Sequence, residues 1–406
     1  MDLFILYQFI VLFILGIILT NFLFNQYFFK DISRFTLSDK IKDDPPLVSV
    51  LIPARNEESN IGRCIKAFLK QDYKNFEIVV LDDNSSDDTY NIVKKISSSI
   101  KNVRVVKGKP LPSGWLGKNF ACHQLSRVAK GDYFLFTDAD TWHHANSISS
   151  SMAALLNNDL DAICPFPKQI MITIHERMTA TFINFAILLF MPLALIRKSK
   201  NPLFCTGIGQ YLLFKREAYF GMGGHAVVKG KILEDVQITK KSKAAGYNYM
   251  IFDGSKILSC RMYKNFKQVF NGFSRFLFSA FDYNAYMMGI AVVFFVLLFL
   301  LPNILFVLGL LLYHWPREIL ILIIIQIAIV SLIRLIIALR FKEKMFDILL
   351  SPLAIVYIVI IAINSFIQSR FGNGIYWKGR TYQAESKSDE LDVVEDEDDK
   401  IKARIH

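Results

Sequence analysis

The stretch FLFTDADTWHH, Phe134–His144, places a bulky apolar run directly before two carboxylates one residue apart, Asp138 and Asp140. With Tyr133 it reads as a short buried strand, Tyr133–Asp138, whose polar residues emerge at its carboxyl end. Two oxygen-ligand side chains at such a point suit a hard divalent cation. The competing reading is that the second Asp caps a following helix. His143 and His144 come next, and adjacent residues on a helix point about 100° apart. The two histidines are therefore read as surface or capping residues rather than joint ligands.

Three similar runs precede this one. VSVLIP begins at Val48, FEIVVLD covers Phe76–Asp82, and VRVV covers Val103–Val106. Helical stretches lie between and after them, at Asn60–Gln71, Asp87–Ile96 and Lys118–Lys130. β-branched strands alternating with helices predict parallel βαβ units. In such sheets ligands sit at the carboxyl ends of the strands. PARNEE, DDNSSDD and DAD all fall there. Asp82 or Asp83 suits hydrogen bonding to a base or ribose, and part of the same run suits helix capping. Glu234–Asp235 precede a helical run, where a carboxylate is favoured by the helix N-terminus and available as a base.

The chain is 53% hydrophobic yet 20% charged over 406 residues, which predicts a soluble domain joined to membrane segments. Leu3–Phe29 is long enough to span a bilayer and reads as a retained anchor. Lys30, Arg34, Lys40 and Lys42 follow it, which places the soluble domain in the cytoplasm. Met287–Tyr313, Ile319–Leu339 and Ile348–Ile367 are three further apolar segments. Basic residues flank Ile348–Ile367 on both sides, so it reads as a span or as a re-entrant or in-plane segment. Met178–Ile196 is apolar but lies inside the globular region, as a core helix or one on the membrane. Phe266–Phe281 has an amphipathic face of the interfacial kind.

The net charge is +11 despite nine acids against two lysines in Glu385–Lys400. Anionic lipid or a phosphorylated substrate fits this balance in so apolar a chain, and nucleic acid does not. The five scattered cysteines form no CxxC pair, which argues against a disulfide framework or a thiolate zinc site.

PARNEE, LDDNSSDDT, TDAD and LEDVQ, in this order over Val48–Asp253, resemble family 2 glycosyltransferases with the GT-A fold. GWLGKNFAC (Gly114–Cys122), MGGH (Met222–His225), RMY (Arg261–Tyr263) and YWKGRTY (Tyr376–Tyr382) resemble the membrane branch acting on carotenoid acids and alcohols and hopanoid-associated relatives. The resemblance implies an α/β, Rossmann-like, mostly parallel catalytic domain with one N-terminal and about three C-terminal membrane helices. It implies that Pro53, Arg55, Asp82 and Asp83 line the nucleotide, with Asp83 on uracil; Glu57 joins them or caps a helix. Lys118 pairs with a phosphate or covers a helix end, and the resemblance implies that Asp138 and Asp140 hold Mg²⁺ or Mn²⁺ against the diphosphate. Asp235 is the base, and Glu234 orients it or touches the donor sugar. Gly209 and Gln210 form an acceptor floor, while Trp377 and Arg380 meet acceptor and diphosphate or anchor the chain at the membrane.

The expected layout is an anchor over 1–30, a GT-A domain over 46–260, an interfacial helix over 261–285 and membrane segments over 286–368. A WKGR motif over 369–384 and an acidic, disordered tail over 385–406 follow. The expected activity is inverting hexosyl transfer from a UDP-hexose to a lipid or isoprenoid at the cytoplasmic membrane surface. A processive polysaccharide synthase and a noncatalytic sugar-nucleotide-binding scaffold are the alternatives. A transporter is disfavoured by the sparse polar content of the apolar segments.

Overall fold

The computed structural model describes residues 3–313, 315–372, 375–382 and 393–395. It divides into two compact units. One is α/β and takes in Phe29–Ile170, Ala194–Met262 and the described residues from Gly372 onward. The other is helical and takes in the described residues up to Phe28, Met171–Leu193 and Tyr263–Phe371.

The α/β unit is built on a seven-stranded sheet. Its strands are β1 (Val48–Ala54), β2 (Phe76–Asp82), β3 (Val103–Lys107), β4 (Tyr133–Phe136), β6 (Ala162–Phe166), β8 (Leu212–Lys215) and β9 (Tyr249–Asp253). β5 (Thr141–His143), β7 (Lys168–Gln169) and β10 (Leu258–Cys260) form a second, small sheet. The large sheet runs β3-β2-β1-β4-β8-β6-β9. β8 is antiparallel to both its neighbours, and every other pairing is parallel. The core is the β-branched and leucine-rich filling that the sequence pattern predicts, with Val50, Ile52, Ile78, Val80, Leu135 and Leu213 all buried. Strand order steps outward from β1 to β3 on one side and reverses to β4 on the other. That reversal opens a crevice at the carboxyl ends of β1 and β4.

The predicted helices form with slightly shifted ends, at Ile61–Phe68, Thr89–Ser97 and Gly117–Val128. His143 departs from the surface or capping reading. It lies in β5, buried beside the Phe68 ring, with Nε2 3.1 Å from Thr137 Oγ1. Burial pushes its pKa down to about 3, so it is a neutral core residue.

Among the described residues, four helices are long and apolar enough to cross a membrane: Leu3–Phe28, Ala285–Tyr313, Arg317–Phe341 and Ser351–Phe371. All four lie in the helical unit. Gln326 Nε2 donates to Gln8 Oε1 at 2.8 Å and joins two of them by a buried amide pair, the kind of contact that compensates polar groups in an apolar setting. The Ile174–Phe190 helix belongs to this unit, although its sequence lies inside the linear span of the α/β unit. Two asparagines of the first helix explain this. Asn25 Nδ2 donates to the Leu188 and Met191 carbonyls at 2.8 and 2.7 Å, and Asn21 Nδ2 to Leu189 at 2.8 Å. They satisfy carbonyls that a helix C-terminus leaves open.

The amphipathic segment forms a helix over Phe266–Leu277. Part of its apolar face packs on protein, with Val269, Phe273 and Leu277 against Tyr357, Ile358 and Ile361, while Phe266 is 49% exposed. Asn364 Nδ2 donates to Ser274 Oγ at 2.8 Å along the same seam. Of the acidic tail over 385–406, Val393–Glu395 forms a short strand. Its other residues lie outside the described ones.

Candidate active site

Every predicted site residue belongs to the α/β unit. Asp138 follows β4, and Asp140 precedes β5. Lys118, in the first turn of the Gly117–Val128 helix, reaches Asp138 Oδ1 at 2.7 Å and Glu234 Oε1 at 2.8 Å. One ammonium therefore ties the carboxylate after β4 to the carboxylate opening the Glu234–Ala244 helix. Burial works against the Lys118 charge, but Asp138, Glu234 and Asp235 outweigh it and hold its pKa well above the usual lysine value.

Asp235 sits beside this pair. Its Oδ2 accepts from the Gly209 N–H at 2.7 Å, and its Oδ1 from the Val236 N–H at 2.8 Å. Burial first, and then the Glu234 charge, push its pKa up to about 7, against the pull of Lys118. A carboxylate poised near neutrality has the proton affinity that general base catalysis requires. A side chain at Gly209 would require Lys118 Nζ to shift from its two ion pairs. A Cβ there would lie 2.6 Å from Lys118 Nζ and within 3.5 Å of the Asp235 and Asp138 carboxylates. Gln210 follows, buried, with its backbone carbonyl accepting from Thr137 Oγ1 at 2.8 Å.

Asp140 has a different environment. Its pKa is also raised to about 7, by burial first, then by Asp138 and Glu57, with Lys378 and Lys118 opposing. The Cys260 thiol donates to its Oδ1 over 3.9 Å, a placement set by the β5–β10 register that puts Cys260 opposite Thr141. Carboxylates packed this closely favour a cation. Among the described residues no three His, Cys, Asp or Glu side chains converge to enclose a metal ion. Asp138 and Asp140 are the carboxylates here that could hold a hard divalent ion, which takes oxygen ligands.

The loops after β1 and β2 are tied together by a hairpin, β11 (Ile375–Trp377) and β12 (Arg380–Tyr382). Lys378 and Gly379 at its tip have φ of 47° and 79°, as a two-residue type I′ turn demands. Arg380 Nη1 and Nη2 meet the two Asp83 oxygens at 2.6 and 3.2 Å, with both residues buried. Burial raises the Asp83 pKa, and Arg380 pulls against that. Lys378 Nζ pairs with Glu57 and donates to the Arg55 carbonyl at 2.8 Å. Arg55 returns the contact from Nε to the Lys378 carbonyl at 2.8 Å, and its Nη1 donates to the Asp83 carbonyl at 2.8 Å. Pro53 is the penultimate residue of β1. Asp82 closes β2, and its Oδ1 is buried without a partner.

The structure thus brings the predicted residues into two groups. Lys118, Asp138, Gly209, Glu234 and Asp235 converge on one ammonium. Arg55, Glu57, Asp83 and Arg380 surround the hairpin, with Asp140 feeling charges from both groups. Arg380 engages Asp83, the residue expected on uracil. The Trp377 side chain lies outside what the structure describes. Lys378 was not singled out from sequence. Its signal was present as a Lys-Gly turn between two aromatic-basic stretches, the composition of a type I′ hairpin. Asn119 was quoted only within its motif. Its Nδ2 donates to the Val228, Lys229 and Lys231 carbonyls at 2.7 to 3.0 Å, fixing the segment before Glu234.

A mostly parallel sheet with carboxylates at the β2 and β4 ends and before the Glu234–Ala244 helix defines a GT-A fold. Residues 49–220 match the model of Glycosyl transferase family 2. It is 26% identical over 235 residues to a 4,4′-diaponeurosporenoate glycosyltransferase of Staphylococcus haemolyticus, covering 57% of this chain and 60% of that protein. It is 29% identical over 209 residues to the probable glycosyltransferase YdaM of Bacillus subtilis, covering 51% and 49%. The chain thus matches about half to three fifths of the length of these relatives. Its fold is similar to that of the mannosyltransferase PcManGT of Pyrobaculum calidifontis, solved with GDP-Man and Mn²⁺, at a TM-score of 0.53 and 16% identity over 91% of this chain and all of that one.

Proposed function

We propose that this protein is an inverting, divalent-metal-dependent hexosyltransferase of a membrane it crosses more than once. Its donor is a UDP-hexose, with UDP-glucose the first to test. Its acceptor is a hydroxyl or carboxyl group of a lipid or isoprenoid, such as a carotenoid, at the cytoplasmic surface. The carrying observation is the Lys118 bridge between Asp138 and Glu234, with Asp235 alongside at a pKa of about 7. The similarity to a carotenoid-acid glycosyltransferase supports the acceptor class, and the four apolar helices support the membrane setting.

Asp138 and Asp140 would hold Mg²⁺ or Mn²⁺, which neutralises charge on the departing diphosphate. Arg55, Asp82 and Asp83 would line the nucleoside. Asp235 would take the proton from the acceptor hydroxyl at a carboxylate oxygen. The new bond from the acceptor oxygen to the anomeric carbon forms as the bond to the diphosphate breaks, so the configuration inverts. Lys118 keeps Glu234 and Asp138 in register with the base. A carboxyl acceptor arrives already ionised at neutral pH, so Asp235 matters most for a hydroxyl acceptor.

The test uses full-length protein in membranes with UDP-glucose, Mn²⁺ and a total lipid extract. UDP release with a monoglycosylated lipid in the mass spectrum supports the reading. Polymer would point to a processive synthase, and absence of UDP release to a sugar-nucleotide-binding scaffold.

A further inference from the structure

Within the helical unit a pocket of about 510 Å³, counting its open mouth, lies between the Ile174–Phe190, Arg317–Phe341 and Ser351–Phe371 helices. Its body is hydrocarbon, with Phe182, Phe185 and Phe299 prominent. Its polar end is made by Arg177, Arg334, Asp347 and Ser351. Arg177 Nη1 meets Asp347 Oδ1 at 2.9 Å, and Arg334 Nη2 meets Glu343 Oε2 at 3.3 Å. Each cation has its own anion, so this end carries no net charge.

Three polar atoms are left over. Asp347 Oδ2, Arg177 Nε and Ser351 Oγ are all buried without a hydrogen-bond partner, and Asp347 is only 4% exposed. A buried polar atom left unmet costs about 1–3 kcal/mol. Water would answer such atoms but would leave the aromatic body of the pocket unfilled, because apolar cavities stay dry. The leftover set comprises an acceptor on Asp347, a donor on Arg177 and a hydroxyl on Ser351. One group that gives a proton to the first and takes one from the second is an alcohol. A carboxylate or phosphate would bring a third negative charge beside Asp347 and Glu343 with no free cation to match it, at low dielectric.

We infer that this pocket binds the hydroxyl end of a membrane lipid alcohol, with its hydrocarbon chain lying along Phe182, Phe185 and Phe299. The inference stands on the helical unit alone and does not depend on the transferase reading.

The test uses full-length protein in lipid nanodiscs and a long-chain alcohol carrying a mid-chain diazirine. The fatty acid and the methyl ester of the same chain are run in parallel, with labelled peptides mapped by mass spectrometry. The alcohol should label Ile174–Phe190 and Ser351–Phe371 about fivefold more than either analogue, the ratio worth roughly one hydrogen bond. Ala354→Phe, which fills the pocket, should abolish that labelling in protein that melts as wild type does. Ser351→Ala should leave labelling in place but lower the alcohol-to-ester ratio. Equal labelling by the acid would make this an anion site, and equal labelling by the ester a merely greasy one. Either result overturns the inference. So does labelling that survives Ala354→Phe. Should Ala354→Phe not fold, an unchanged ratio in Ser351→Ala overturns it by itself.

Discussion

Replacing Asp235 with asparagine removes the proposed base while keeping nearly the same shape. The carboxylate accepts two backbone N–H bonds, from Gly209 at 2.7 Å and Val236 at 2.8 Å. An amide keeps one acceptor and turns an NH₂ toward the other N–H, a conflict worth about 1–3 kcal/mol. That cost falls on local stability. The loss of proton transfer falls on turnover and should lower it by about 10²–10⁴. Lys118 keeps its contacts with Asp138 and Glu234, so UDP affinity should stay within about threefold, under 1 kcal/mol. The assay is UDP release from UDP-glucose with an alcohol acceptor, with UDP binding measured calorimetrically on the same preparation. Wild-type turnover should fall about tenfold per pH unit below pH 7, because the carboxyl raised to about 7 is then protonated and cannot accept. Transfer to a carboxyl acceptor should be much less sensitive to both changes. Full activity of Asp235→Asn with an alcohol acceptor would refute the reasoning, as would a wild-type rate that is flat from pH 5.5 to 8.

Other perturbations separate the two groups of residues. Asp140→Asn should raise the Mn²⁺ concentration needed for half-maximal activity by about tenfold or more, since one of two carboxylate ligands is lost. Without divalent ions, wild-type stability should decline relative to Asp140→Asn as pH rises from about 4 through 7. The folded carboxyl holds its proton longer than the unfolded one across that window, so raising the pH favours unfolding; thermal melts in a chelating buffer measure it. Arg380→Ala leaves the buried Asp83 carboxylate unpaired and should cost about 3–5 kcal/mol in denaturant titration. Gly209→Ala puts a methyl 2.6 Å from Lys118 Nζ; it should reduce turnover by about tenfold or more while leaving a folded protein, seen as lost UDP release with near-native melting.

Much of the α/β unit was legible because its strands are buried on both faces and therefore read as unbroken β-branched runs. Their order also carried the site: β1, β2 and β4 end in polar clusters, and a parallel sheet collects such ends on one edge. The apolar helices were legible by length alone, since a bilayer imposes about twenty residues on any span. Pairings between distant segments were not legible. That Lys118 meets Asp138 and Glu234, and that Arg380 meets Asp83 across 297 residues, depends on loops whose course no local period encodes. His143 shows the same limit: its neighbours Trp142 and His144 belong to no buried apolar run, and the packing of Phe68 and Tyr211 makes it a core residue. The Ile174–Phe190 helix shows it at the scale of a unit, since two asparagines of the first helix, more than 160 residues away, take up its end.

Sequence alone therefore determined the alternation of strands and helices, the apolar lengths and the identity of the carboxylates, because these follow from local periodicity and residue chemistry. Tertiary structure decided which charges meet, which carboxyls are lifted toward neutrality and where a hairpin near the chain's end docks. Those properties follow from burial and from distances between atoms far apart in sequence, where Coulomb energies change severalfold with a few ångströms and with the loss of water.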